Sequence, residues 1–250
     1  MSGHSKWSSI KHKKAAADAK RGKLFSKLAR EIITAAKTGG GDPDTNPRLR
    51  TVLATAKSAN MPNDNINKAI MKGTGELPGV TDEEATFEAY GPGGVAILFT
   101  VLTDNKKRTV SEIRHILGKN NGNLGETGCV AWMFDKKGLI TVEKSLAGED
   151  DVFTVALDAG AEDVVDEGDT WHVYTEPQEF MSVKAAFDAS PIEVSSASLT
   201  MNPKTLVRVA GNEARQVLRL LDSLEDQDDV QEVHANFDIP DEELAEMAAG

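Results

Sequence analysis

From Lys23 onward, apolar residues recur at the spacing of an amphipathic helix. Leu24, Phe25, Leu28, Ile32 and Ala36 share one face. With about 100° between successive residues, Lys20, Lys23, Lys27 and Arg30 fall roughly opposite that face. Gly22 interrupts this helix near Lys20, and Gly39-Gly40-Gly41 ends it, because three consecutive glycines hold helical order only at a large entropic cost. Asn46-Pro47 predicts the next start, with Asn as cap and Pro in the first turn. Leu49, Val52, Leu53 and Ala56 then point inward. A third helix over Asp64–Lys72 turns Ile66, Ala69 and Ile70 inward and stops at Gly73. These three helices predict a small bundle. Ahead of them, Met1 to Gly22 reads as an arm of Lys, Ser, His and small residues, helical through Lys13–Lys20, with Trp7 its only aromatic.

The periodicity then changes. Residues 73–86 read as a linker, and the apolar run Val95–Thr103 as a strand after the turn Gly91-Pro92-Gly93-Gly94. Thr109–Lys119 is helical, with Val110, Ile113, Ile116 and Leu117 inward. Val130–Phe134 and Gly138–Val142 are predicted strands around a Lys136-Lys137-Gly138 turn, which makes a βαβ-type unit. Further on come a helix at Asp151–Ala159, short strands at Val164–Val165 and Trp171–Tyr174, and a helix at Phe180–Ala189. A strand at Ile192–Leu199, a helix at Asn212–Leu224 and a last strand at Val230–Asn236 follow. Glu162-Asp163-Val164 and Asp228-Asp229-Val230 echo each other, each an acidic turn between a helix and a strand, and point to two related α+β modules.

Composition adds one decisive feature. The net charge is −12, but residues 1–78 hold 15 Lys+Arg against 6 Asp+Glu, and residues 79–250 hold 13 against 34. Such asymmetry points to a polyanionic partner for the front of the chain, or to docking of the two oppositely charged parts on each other. No apolar run approaches membrane-spanning length and the N-terminus lacks a signal-peptide core, so a cytoplasmic protein without a membrane partner is expected. The single Cys129, set in an apolar stretch, excludes an internal disulfide and Cys-rich metal clusters and reads as a small buried hydrophobe.

Catalytic patterns are missing. His4, His12, His115, His172 and His234 form no paired metal-binding spacing, and most acidic residues fall in solvated runs such as Glu149-Asp150-Asp151. Gly91–Gly94 is not followed by the Gly-Lys-Ser/Thr of a phosphate loop, and no Gly-x-Ser-x-Gly elbow occurs. A non-enzymatic protein without metal or cofactor is expected.

What remains is the cationic front end. Lys6, Lys11, Lys13, Lys14, Lys20, Arg21, Lys23, Lys27 and Arg30, joined by His12 and by Arg48 and Arg50 in the second helix, are the candidate nucleic-acid-binding residues. They suit phosphates, whose neutralisation releases condensed counterions. Lysine outnumbers arginine, which favours backbone contact over base reading. Trp7 either stacks on an unpaired base or packs on the bundle.

Gly3-His4-Ser5-Lys6-Trp7, Lys11-His12-Lys13-Lys14-Ala15-Ala16, Asp18-Ala19-Lys20-Arg21-Gly22-Lys23, Gly39-Gly40-Gly41-Asp42-Pro43 and Asn46-Pro47-Arg48-Leu49-Arg50 closely resemble the YebC/PmpR family. So do Asn60-Met61-Pro62, Tyr90-Gly91-Pro92-Gly93-Gly94, Arg108-Thr109-Val110 and Gly122-Asn123-Leu124-Gly125, so that the resemblance spans essentially the whole chain. It implies an α+β protein: a three-helix N-terminal domain over 1–78, an α+β domain over 79–134 plus 205–250, and a second α+β domain over 135–204 inserted in it. It implies a cytoplasmic DNA-binding regulator of transcription. Relatives assigned to translation, as mitochondrial activators of cytochrome oxidase synthesis or as factors relieving ribosome stalling, imply ribosomal RNA, tRNA or the ribosome as the alternative partner. The resemblance carries neither catalytic residues nor a cofactor, and the oligomeric state stays open.

Overall fold

The computed structural model describes residues 7, 18–78, 82–240, 242–244 and 246. The chain divides into two compact units, Met1–Phe134 with Pro203–Gly250, and Asp135–Asn202.

The first unit opens with helices α1 (Asp18–Gly39), α2 (Pro47–Ser58) and α3 (Asn63–Thr74). Leu28, Ile32, Leu49, Leu53, Ala56, Ile66 and Ala69 form their shared core. Asn46 caps α2 as its sequence predicts: its side-chain oxygen accepts from Leu49 N–H at 3.1 Å, while its amide donates to the carbonyls of Ala35 and Gly40, both at 2.8 Å. Three expectations need correction. Helix α1 runs unbroken through Gly22, since one glycine costs only about 1 kcal/mol relative to alanine. Leu24, at the margin of the apolar stripe, is 42% exposed. Helix α3 passes through Gly73 to Thr74. A Cβ on Gly73 would sit 2.5 Å from the Ile33 carbonyl oxygen and 2.6 Å from Ala36 Cβ, so this glycine serves the close crossing of α1 and α3 and not a stop.

The remainder of this unit is a four-stranded sheet in the order β3-β1-β2-β9, formed by β1 (Glu83–Tyr90), β2 (Ala96–Thr103), β3 (Asn123–Leu124) and β9 (Val230–Ala235). Every pairing in it is antiparallel, which corrects the expected βαβ-type unit. Helices α4 (Lys106–Lys119) and α7 (Gly211–Glu225) bury Ile113, Leu117, Val217, Leu221 and Leu224 with Ile97, Phe99 and Val233 of the sheet. A short parallel pair, β8 (Val207–Arg208) and β10 (Phe237–Asp238), lies beside them in sequence.

Strand β1 takes up most of the predicted linker's second half. Its period-two pattern puts Ala85, Phe87 and Ala89 on one face and Glu84, Thr86 and Glu88 on the other, so the acidic residues conceal a strand. Buried Glu88 also explains why residues 130–134 do not form the expected strand. Its carboxylate accepts backbone N–H groups from Gly128, Val130 and Ala131 at 2.5, 2.6 and 2.8 Å, winding Ala131–Met133 into a single 3-10 turn. Burial opposes ionisation of Glu88, but these three donors prevail and lower its pKa. Cys129, beside them, is half-buried and not fully enclosed.

In the second unit, β4 (Phe134–Glu143), β5 (Asp163–Glu167), β6 (Thr170–Thr175) and β7 (Ser196–Pro203) form a sheet in the order β5-β6-β4-β7. Helices α5 (Glu149–Asp158) and α6 (Phe180–Ala189) complete it, packing Val152, Ala156, Val183 and Phe187 against Ile140, Val142 and Val173. Strand β4 runs straight through Lys136-Lys137-Gly138, where a turn was expected. Gly138 pairs with Thr175, and its missing Cβ makes room for the Thr175 hydroxyl and the Phe180 ring. Strand β7 starts at Ser196, later than Ile192, which is buried in the core instead. Because β4 and β7 are neighbours, the chain enters and leaves this unit side by side.

Helix propensity alone predicts that Gly73→Ala stabilises α3. The contacts predict the reverse: a net loss of about 1–3 kcal/mol in urea unfolding, from displacing the Ile33–Ala36 stretch of α1.

Candidate nucleic-acid interface

The predicted cationic residues fall into three groups. Lys6, Lys11, His12, Lys13 and Lys14 lie outside the described residues, as do the side chains of Lys20 and Arg21. Trp7 is half-buried and packs against the core formed by the β3-β1-β2-β9 sheet and its helices, not against the three-helix bundle. Its indole N–H has no hydrogen-bond partner among the described residues.

Lys23, Lys27 and Arg30 are engaged within the protein. They meet the acidic segment that follows α7. The last carbonyls of a helix lack internal partners and carry partial negative charge. Lys27 Nζ donates to the Glu225 carbonyl at 2.9 Å, and Lys23 Nζ donates to that of Asp226. The carboxylates of Asp226 and Asp228 stand 3.5 and 3.6 Å from Lys23 Nζ. Burial and the neighbouring Lys23 lower the pKa of Lys27, while Glu225, Asp226 and Asp228 oppose that shift. Arg30 reaches Asp82 at 2.8 Å, Asp229 at 3.2 Å and the Asp228 carbonyl at 3.0 Å.

Asp229 is the centre of this contact and is 3% exposed. Besides Arg30 it accepts from Thr109 Oγ1 at 2.6 Å and from Arg108 at 2.9 Å. Burial pushes its pKa up, but hydrogen bonds from Thr109, Arg108 and Arg30 outweigh that and hold it at about 2. Its own hydrogen bond to Asp229 and the Asp229 charge in turn raise the pKa of Arg108, against the opposing effect of burial. The open cleft around this cluster, about 1070 Å³, is lined by five cations and six carboxylates. Its charges are nearly balanced, so it is not a cationic groove.

Arg48 and Arg50 are also committed. Arg48 forms a two-pronged pair with Glu84 at 2.7 and 2.9 Å, and Arg50 donates to the carbonyls of Pro43 and Asp44 at 2.9 and 2.7 Å. Glu31, on α1, has its pKa raised to about 7, first by burial and then by Glu232 and Glu84, against the opposing pull of Arg48 and Lys27. Neither Asp229 nor Arg108 was a sequence candidate. The only trace of Asp229 was the Asp228-Asp229-Val230 echo, and nothing local in the sequence pairs it with Arg30, 199 positions away. Among the described residues, no group of three or more His, Cys, Asp or Glu side chains is arranged to hold a metal ion, and no helix is long and apolar enough to cross a membrane.

Comparison with known proteins bears on the whole chain. Residues 5–76 match the model for the TACO1/YebC protein N-terminal domain, and residues 82–237 match that for the TACO1/YebC second and third domain. The chain belongs to the TACO1/YebC family. A relative from Desulforapulum autotrophicum, named a probable transcriptional regulatory protein, is 58% identical over 97% of this chain and 98% of its own. Another of that name, from Desulfosudis oleivorans, is 60% identical over 96% of this chain and 98% of its own. A crystal structure of a conserved hypothetical protein from Aquifex aeolicus superposes with a TM-score of 0.81 at 46% identity, covering 90% of this chain and 93% of that one. For this TACO1/YebC member the α+β class read from sequence therefore holds, and the names of the relatives support a regulatory role in general.

Two titrations follow from the contact. Asp229 ionises more readily folded than unfolded, so its contribution is complete above its ordinary pKa of 3.8 and is lost as pH falls through about 2. Asp229→Asn should cost about 2–3 kcal/mol at pH 7 in denaturant unfolding, and the difference should shrink below pH 3.8. Glu31 has the opposite sign: its contribution is complete below 4.5 and is lost as pH rises through about 7. Glu31→Gln should therefore stabilise by about 1–2 kcal/mol at pH 8 and leave stability unchanged near pH 4, measured by urea unfolding at both values.

Proposed function

We propose that this protein is a non-enzymatic, cytoplasmic regulator of transcription that binds DNA through the phosphate backbone, using the cationic arm of its N-terminal helical domain. The observation that carries this reading is the excess of positive charge in the first 22 residues. Lys6, Lys11, Lys13, Lys14, Lys20 and Arg21 stand against Asp18 alone. The regulatory names of the relatives support it. Lys23, Lys27, Arg30, Arg48 and Arg50, bound to carboxylates and carbonyls, take a structural part, which moves the proposed grip toward the arm. The Asp135–Asn202 unit, with four Lys+Arg against fifteen Asp+Glu, is repelled by phosphate and is not part of the proposed grip.

The arm is also the better place to test the idea, because reversing Lys23 or Lys27 would set like charges against residues 225–228 and disturb packing. In fluorescence anisotropy with duplex DNA, changing Lys11, Lys13 and Lys14 to Gln should weaken binding for all sequences alike. It should also lower the log–log salt slope by about 0.9 per lost contact. Preference of the unaltered protein for structured RNA over duplex DNA at equal salt, together with co-sedimentation with ribosomes, would replace transcription by translation.

A further inference from the structure

Helix α4 carries five Lys+Arg, and four of them meet no carboxylate among the described residues. Its sequence holds Lys106, Lys107, Arg108, Arg114 and Lys119 against one carboxylate, Glu112. Arg108 is occupied by Asp104, Glu112 and Asp229. The other four cations and His115 are exposed, and none of them meets a carboxylate among the described residues. This reverses the situation on α1, where Lys23 and Arg30 are paired with carboxylates and Lys27 is held by a carbonyl.

Packing fixes the orientation of this charge. Thr109, Ile113 and Leu117 are buried, so the opposite side of α4 must face outward. Along that side Lys107, Ser111, Arg114 and Gly118 follow one another at intervals of three or four residues, all exposed and without an acidic residue between them. At 1.5 Å rise per residue, Lys107 and Arg114 lie about 10 Å apart along the axis, roughly three nucleotide steps of one strand. Ser111 adds a hydroxyl donor between them, and nothing lies within 4 Å of where a Gly118 Cβ would be, so a backbone can approach closely there. The ridge carries no aromatic residue that would stack on an unpaired base.

We propose that the exposed face of α4 is a second contact surface for the phosphate backbone of duplex DNA, read without base specificity and used together with the N-terminal arm. This rests on the DNA-binding reading above and adds to it a site in the sheet domain. Duplex is favoured because a straight cationic ridge without stacking groups suits a regular row of phosphates.

The test uses the full chain and duplexes of unrelated sequence, with anisotropy followed across a salt series. Changing Lys107 and Arg114 together to Glu, and in a second variant to Gln, should weaken binding about tenfold at low salt. The log–log slope should fall by about 1.8 in the Gln variant, and the unfolding midpoint should stay near that of the parent. If the Glu variant does not fold, the Gln variant decides. A parental slope in the α4 variants, with binding weakened only by the arm substitutions, would overturn this site and leave the proposed function standing. No binding of duplex DNA by the parent protein would remove both. An effect confined to hairpin RNA would reject duplex DNA as the occupant.

Discussion

A single buried carboxylate ties the helical N-terminal domain to the sheet domain. Asp229 sits where α7 gives way to β9 and takes donors from α1 through Arg30 and from the start of α4 through Arg108 and Thr109. An isolated carboxylate here would be protonated, because burial penalises charge. Three converging donors make the ionised form the stable one. Removing the donors would leave Asp229 as an uncompensated buried charge, whereas Arg30 and Arg108 keep Asp82, Asp104 and Glu112 as partners. The flanking Lys27 contact to Glu225 needs only a free carbonyl at the end of α7, whereas Lys23 also meets the carboxylates of Asp226 and Asp228.

This arrangement changes how the charge asymmetry of the chain should be understood. The sequence-level contrast between a basic front and an acidic remainder allowed both a polyanionic partner and self-docking. Both parts of that contrast are accounted for by different residues. Lys23, Lys27 and Arg30 of α1 are satisfied internally, while the exposed cations on the outer face of α4 meet no carboxylate among the described residues. A polyanion that took the place of the 225–229 segment on α1 would have to leave Asp229 buried without Arg30. The surfaces open to a partner at no such cost are elsewhere.

Most element types were legible locally. Helices α2, α6 and α7 match their apolar stripes and, for α2, its Asn-Pro start, because amphipathic period and capping act within a few residues. The misreadings share one origin. Strand β1 was hidden by Glu84 and Glu88, which look like solvated linker residues until Glu88 is seen accepting three backbone N–H groups. The same contact bent residues 130–133 away from strand geometry. Gly73 and Gly138 read as stops or turns, although each makes room for a neighbour: the backbone of α1 for Gly73, and the side chains of Thr175 and Phe180 for Gly138.

The sequence by itself settled the α+β class, the run of helices and most strands, and the presence of a cationic front end, since these follow from local periodicity and from charge counted along the chain. It also placed the chain in its family, through motifs spread over nearly its whole length. Only the tertiary structure decided which cations are spent and which are free. Arg30 and Asp229, 199 residues apart, become partners through the packing of α1 near the end of α7, and electrostatics depends on distance in space, not on order in the chain.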